Sequence, residues 1–485
     1  MSFYFDPIRL TPLDHMMPVS YIAFFYSFLV DDPRRAVPVL EDALHRLLQA
    51  NPFLVGNLIN SRSGEDNPTI RTVHPPTSES LREFPILQVR HHENEYIARR
   101  SHGSSCSGNQ ISKDALLSDT YLPVPLAAAT AKQCPIIRWQ ANLMQDGLVV
   151  AVCFHHSVLD AAGFYIIQVA LARCCREPDS TIQGLSLASD LLKGRQAMLE
   201  TSPASGISGR SSARDLQALG VANFESAENL ISRRLTLKPA RIEYLKVACN
   251  ALGQGRMEND PVFSQPQALL SSNDIISAVL WLVIMRARYR PCSGTLKGPD
   301  DSAQSSLILI IEIRRSLTPP LPMSYIGNGI VQTATSSPIR AALESVSQPT
   351  QTPTLTAHGL QVLTDLALKV HAIFSRVDDT FVKTLIREKQ EAIDWSPRFR
   401  QADVTSTSLR RMGVYGLDFG PVLGKVVEFD SPDNRIDGTV CILPARVSSV
   451  PAPWEVRVTL QREVMVRLSQ DPFMDWLVDN VSAKM

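Results

Sequence analysis

Cysteine is sparse and scattered. The eight in 485 residues include no Cys-x-x-Cys pair, which removes the simplest signatures of a disulfide framework or a zinc site. Charge of either sign is not in excess: 48 Lys+Arg face 48 Asp+Glu, for a formal net charge of zero. A nucleic acid or anionic membrane held by bulk charge is therefore not expected, although a local basic pocket for a phosphate stays open. No apolar run approaches the roughly 18 to 20 residues of a membrane span. The N-terminus, Met1-Ser2-Phe3-Tyr4-Phe5-Asp6, has no basic stretch of the kind that opens a signal peptide. These absences together predict a soluble, intracellular protein. A Gly-x-Ser-x-Gly nucleophile elbow is missing as well, and no internal repeat is visible.

The hydrophobic fraction of 44% over this length suffices for two domains with cores of their own. Periodicity fades from about 178 to 216, and the Ser-, Gly- and Pro-containing stretch Thr201 to Ser212 reads as a crossover between domains. The expected division is an N-terminal domain over 1–195, a linker over 196–220 and a C-terminal domain over 221–485. Tyr21 to Val30 reads as a strand, and Asp32-Pro33 opens a helix with an apolar stripe at Leu40, Ala43, Leu44, Leu47 and Leu48. Gln145-Asp146-Gly147 joins two apolar strands between Pro135 and Phe154. Amphipathic material runs from about 225 to 250, and Ser271 with Asp274 forms a capping box for a helix reaching about Arg290. Leu307 to Ile313 is a strand and residues 356 to 394 are helical. The end alternates strands over Val414 to Phe419, Lys425 to Phe429, Gly438 to Leu443 and Trp454 to Leu460, then a helix over about 461 to 469. The period-2 pattern of Trp454 to Leu460 predicts one buried and one wet face.

One stretch stands out as chemistry: Phe154-His155-His156-Ser157-Val158-Leu159-Asp160-Ala161-Ala162-Gly163. Seven apolar residues, Leu148 to Phe154, run straight into two histidines, as in a buried strand that delivers a side chain to a cleft. A histidine with a pKa of about 6.5 keeps a neutral fraction at cellular pH and can take a proton from a hydroxyl or amine. Asp160 would fix the strand-to-helix turn by pairing with a buried cation, and Gly163 would allow a tight turn before Phe164 to Ala172. Three other readings compete: histidines serving only the core or a loop, a metal site, or a Ser-His-Asp hydrolase. The last two lack, respectively, a cluster with metal spacing and the elbow.

His155-His156-x-x-x-Asp160 followed by Gly163 resembles the signature of the BAHD-type acyl-CoA-dependent acyltransferases, and of the related condensation domains and chloramphenicol acetyltransferase. Asp418-Phe419-Gly420-Pro421-Val422 is similar to that family's Asp-Phe-Gly-Trp-Gly, with Pro421 where the family has Trp. Leu10-Thr11-Pro12-Leu13-Asp14 looks like its opening segment, and Asn51 to Leu58 and Ser272-Asn273-Asp274 to Trp281 resemble two more. Glu312 to Asn328, with Arg314, Pro319-Pro320-Leu321-Pro322 and Tyr325-Ile326-Gly327-Asn328, resembles another, Glu312 standing for Asp or Asn.

The resemblance implies an α/β fold of two chloramphenicol acetyltransferase-like domains, with mixed sheets, flanking helices and an active-site tunnel between them. His156 would be the general base and Asp418 would shape the site. Asp160, Gly163, Arg314 and Gly420 would be structural at the site, Arg314 pairing with Asp160. Acetyl-CoA or another acyl-CoA would be the co-substrate, with no permanent cofactor and no metal. A hydroxyl on a small fungal secondary metabolite would be the acceptor, and the protein would act as a monomer. Direct transfer without an acyl-enzyme is expected, because Cys153 lies inside an apolar strand where burial raises a thiol pKa. Two alternatives remain: a freestanding condensation-type enzyme using a carrier-bound donor, and an inactive binding protein of the same fold. Cytoplasmic residence is expected, or peroxisomal import from the final Ala483-Lys484-Met485, which is close to Ser-Lys-Leu.

Overall fold

Aromatic and β-branched residues dominate Tyr21–Leu29 (β1), which suits a strand buried on both faces. Asp32 then caps Pro33–Ala50 (α1) by accepting the Arg34 N–H at 3.1 Å. The computed structural model describes residues 3–60, 70–97, 109–110, 115–179, 186–200, 216, 219, 229–257, 269–289, 300, 302–344, 355–396, 399–433, 435–446 and 451–479. Leu87–His91 (β2), Ile137–Met144 (β3) and Gly147–His155 (β4) follow, the last two forming the predicted hairpin. All nine residues of β4 are buried. Ala161–Arg176 (α2) leaves the end of β4 and packs on α1.

Periodicity was expected to fade here, yet Ala188–Leu199 (α3) is a helix. Only Leu191, Gly194, Arg195 and Met198 of it are buried, a stripe that includes a glycine and an arginine and so carries little hydrophobic signal. Thr201 to Ser212 lies outside the described residues.

The 225–250 material resolves into Leu230–Leu237 (β5) and Pro239–Met257 (α4). Ser271 and Asp274 make the capping box of Ser272–Tyr289 (α5): the Asp274 N–H donates to Ser271 Oγ and the Ser271 N–H to Asp274 Oδ2. Every residue of α5 from Asp274 to Ala287 is buried, and Trp281 packs there while donating to Ser305 Oγ at 3.0 Å. Gln304–Glu312 (β6) and Ile330–Pro338 (β7) pair antiparallel. Helices Ala357–Arg376 and Asp379–Glu391 precede Val404–Ser408 (β8), Glu428–Asp430 (β9), Thr439–Ile442 (β10) and Trp454–Gln461 (β11). Arg462–Ser469 is the predicted helix after β11, and one more, Pro472–Leu477, follows it.

Two mixed sheets organise these elements. One has the order β9-β1-β4-β3-β2 and the other β5-β11-β10-β8-β6-β7. Each contains antiparallel and parallel pairs, and residues from both halves of the chain join one continuous hydrophobic core. The first sheet takes its edge strand, β9, from late in the sequence, where Phe429 pairs with Tyr26.

Two local expectations fail for identifiable reasons. Val414 to Phe419 is not a strand: Val414–Gly416 is one 3₁₀ turn between Gly413 and Gly420, the latter at φ +86°. The outward face of β11 is not wet. Glu455, Arg457 and Thr459 are 7%, 3% and 1% exposed, because each finds a polar partner: Arg457 in Asp430 of β9, Glu455 in Arg234 and Arg446, and Thr459 in Ser232 and the Asp433 carbonyl. Arg457 Nη2 reaches Asp430 Oδ2 at 2.6 Å, and Arg234 contacts Glu428 and Glu455, each at 2.6 Å. Alternation along a strand reports polarity, and a polar face stays buried where ion pairs satisfy it.

Candidate active site

The two adjacent histidines have opposite fates. His155 ends β4, paired with Tyr21, and its ring turns into the core. The Ser157 N–H donates to His155 Nδ1 at 3.2 Å, so Nε2 carries the proton and donates to the Ala129 carbonyl at 3.2 Å. Burial first, then the nearby Arg71 cation, pushes its pKa down to about 3. His15 is fixed in the same way by the Arg71 N–H and the Thr11 carbonyl, and burial pushes it down to about 3 as well.

Both rings are neutral in the fold, whereas in the unfolded chain each protonates near pH 6.5. Between about pH 6.5 and 3 the unfolded state therefore binds more protons. Stability should be flat above pH 6.5 and fall below it, by up to about 1.4 kcal/mol per pH unit for each ring. Urea midpoints that do not drop between pH 7 and pH 5 would contradict this pair of assignments.

His156 is half-buried and its backbone is held from two directions. Its N–H donates to the Ser20 carbonyl at 2.9 Å, and its carbonyl accepts from Asn328 Nδ2 at 3.0 Å. Thus a loop from the second half of the sequence grips the residue that β4 delivers. Burial lowers the pKa of the ring, with Arg435 acting the same way, while its own main chain, Asp160 and Asn328 oppose them. The net effect keeps the imidazole neutral at cellular pH, as a general base requires.

Asp160 serves structure. Its Oδ1 caps α2 by accepting the Gly163 N–H at 2.7 Å, and Oδ2 accepts the Gly329 N–H at 2.8 Å. Arg314 meets both oxygens, Nη1 to Oδ2 at 3.0 Å and Nη2 to Oδ1 at 2.9 Å. Arg314 also donates to the Tyr325 and Gly327 carbonyls and to Glu312 Oε1. Burial alone would depress the guanidinium's pKa, but Asp160 and Glu312 raise it overall. Gly163 is not the tight turn expected of it; it lies within α2. A Cβ there would sit 1.9 Å from the Ile326 carbonyl oxygen, so the absent side chain lets the 325–329 segment run against the helix beside His156.

Asp418 is not brought to His156. Its Oδ1 accepts the Gly420 N–H at 2.9 Å, and its carbonyl accepts from Arg176 Nη1 at 3.1 Å. Arg176 ends α2, on the order of 22 Å of helix beyond the Asp160 end. Gly420 packs on the same end, a Cβ there meeting Arg176 Cα at 3.1 Å. The Asp-Phe-Gly segment therefore packs against the far end of the helix whose near end lies at His156, with Phe419 stacked edge-on against Phe28.

Asp14 was part of a recognised segment but had no assigned role. It is fully buried in the short helix Pro12–Met16, and its Oδ1 accepts from the Asn328 main chain at 3.3 Å and side chain at 3.0 Å. Arg195 of α3 lies 3.7 Å from its other oxygen. Arg71 donates to the Asp14 carbonyl and to Ser157 Oγ, beside His156. The available signal was the polar pattern itself: an Asp and an Asn inside otherwise apolar segments imply buried partners.

Cys153, inside β4, is fully buried and its thiol is pushed up to about 12 by burial. Among the described residues no three His, Cys, Asp or Glu side chains are placed to hold a metal ion, and no helix is long and apolar enough to cross a membrane.

Comparison with known proteins agrees with this geometry. A family model described as the transferase family matches residues 111–474, and one described as a trichothecene 3-O-acetyltransferase-like N-terminal domain matches residues 20–175. The O-acetyltransferase ptmV of Penicillium ochrochloron is 30% identical, with 96% of each chain covered. The communesin N16 acyltransferase cnsK of Penicillium expansum is 29% identical, with 99% of each covered. The crystal structure of F. sporotrichioides TRI101 complexed with coenzyme A and T-2 superposes with a TM-score of 0.70 at 18% identity, covering 98% of this chain and 99% of that one. A family model spanning most of the chain, a 30% identical relative along nearly all of it, and His156 beside a buried Asp160–Arg314 pair make this chain a member of the BAHD-type transferase family, an acyl-CoA-dependent acyltransferase.

Proposed function

We propose that the protein moves an acyl group, acetyl in the first instance, from acyl-CoA to a hydroxyl of a small fungal secondary metabolite of terpenoid, alkaloid or polyketide type. The observation that carries this reading is the placement of His156, gripped through its main chain by Ser20 and Asn328, with its neighbouring carboxylate occupied by Arg314. The ring takes the hydroxyl proton as the oxygen attacks the thioester carbonyl, and a tetrahedral oxyanion forms. When that collapses, the C–S bond breaks and His156 returns the proton to the departing CoA thiolate. Activating the alcohol is the harder half, since CoA is a good leaving group and the thioester is already reactive. The names of the relatives support the choice of substrates: ptmV is an O-acetyltransferase, and the TRI101 complex contains coenzyme A with T-2.

A nitrogen acceptor is a second reading, motivated by cnsK, named for acylation at N16. Assays with acetyl-CoA and matched alcohol and amine acceptors decide between them. The same assays with a carrier-bound acyl donor test the condensation-type alternative, which fails if free acetyl-CoA is the better donor. The reading further includes two acyltransferase domains over 1–195 and 221–485, an active-site tunnel at their seam and a monomeric state, which light scattering checks. The finer compartment, cytoplasm or peroxisome, rests on Ala483-Lys484-Met485, outside the described residues. Imaging an N-terminally tagged protein with and without these three residues separates the two.

A further inference from the structure

The segment between β9 and β10 sends a cation to the end of the strand that carries the base. Arg435 Nη2 donates to the Tyr21 carbonyl at 2.8 Å. Tyr21 is paired with His155, and the residue before it, Ser20, accepts the His156 N–H. Asp433 holds the guanidinium in place, Nε to Oδ1 at 3.0 Å and Nη2 to Oδ2 at 2.6 Å, and the arginine side chain is only 16% exposed. A largely buried charge is screened less than one on the open surface. The Asp160–Arg314 pair builds the loop after His156 without it.

We infer that Arg435 is a positioning residue for His156: it ties the start of β1 to the second half of the chain and holds a positive charge at the strand end next to the backbone that anchors the base. That charge disfavours the imidazolium, which keeps the resting ring ready to accept a proton and hastens its return to the leaving thiolate. Two opposed sets of influences act on the ring. Asp160 from the start of α2, Asn328 from the 325–329 segment and the ring's own main chain favour protonation; Arg435 and burial oppose it. Asp160 is matched by Arg314 and Arg435 by Asp433, so each acts as a partly balanced charge.

The inference rests on His156 being the general base, and the test separates the two. The pH dependence of kcat/KM with acetyl-CoA and an accepted alcohol is measured for the parent and for Arg435→Met, Arg435→Lys and Asp433→Asn, with His156→Ala alongside. Arg435→Met should move the acid limb up by about half to one pH unit, and Arg435→Lys should return it toward the parent position. Asp433→Asn, which leaves the cation unbalanced, should move it down and serves even if Arg435→Met does not fold. An acid limb at the same pH in all three, with lost rate alone, would reduce Arg435 to a structural tie. An active His156→Ala would overturn the base assignment itself, and this inference with it.

Discussion

His156→Ala is expected to lower kcat by roughly 10²- to 10⁴-fold while the protein stays folded. The substitution removes the imidazole but neither main-chain anchor, since the residue 156 N–H still reaches Ser20 and its carbonyl still accepts from Asn328. The ring is half-buried, and its Nδ1 has no hydrogen-bond partner. The loss should appear in kcat and kcat/KM alike, as for a group that acts in the transition state. Circular dichroism and thermal melts alongside the kinetics check it: a variant with near-parental kcat would end the base assignment.

Asp160→Ala should behave in the opposite way, with stability falling by about 3–5 kcal/mol and yield falling with it. Arg314 would remain buried with only Glu312 to answer its charge, α2 would lose its cap at Gly163, and the Gly329 N–H would lose its acceptor. Three segments meet at this carboxylate, so activity should also decline as the loop carrying His156 loosens. A urea midpoint indistinguishable from the parent would show that the buried pair does not hold this loop. The contrast between the two variants, chemistry lost in one and fold weakened in the other, distinguishes a base from its scaffold.

The placement of His156 and of the Asp160 cap was legible because both are local. His156, Asp160 and the start of α2 lie within one short stretch whose apolar run and histidines state both the strand and its end. Arg314 as the partner of Asp160 came from resemblance rather than spacing, since the pair is 154 residues apart. Asp14 and Asn328 are 314 residues apart, and neither periodicity nor composition carries information about such a contact. Gly163 shows a related limit: a glycine in sequence signals conformational freedom, but here it marks the approach of the Ile326 main chain, which only the fold supplies. The polar face of β11 failed for a similar reason, since its partners, such as Asp430 of β9 and Arg234 of β5, come from other parts of the chain.

Direct transfer from CoA to acceptor, with His156 handling only the proton, is what most separates this reading from other acyl-transfer chemistries. Incubating the protein with acetyl-CoA alone and recording its intact mass tests that point. With Cys153 buried and its thiol held up at about 12, the mass should be unchanged by donor alone, and acetyl should leave CoA only when acceptor is added. A mass gain of one acetyl group without acceptor, discharged when acceptor is supplied, would instead establish a covalent acyl-enzyme and contradict the mechanism.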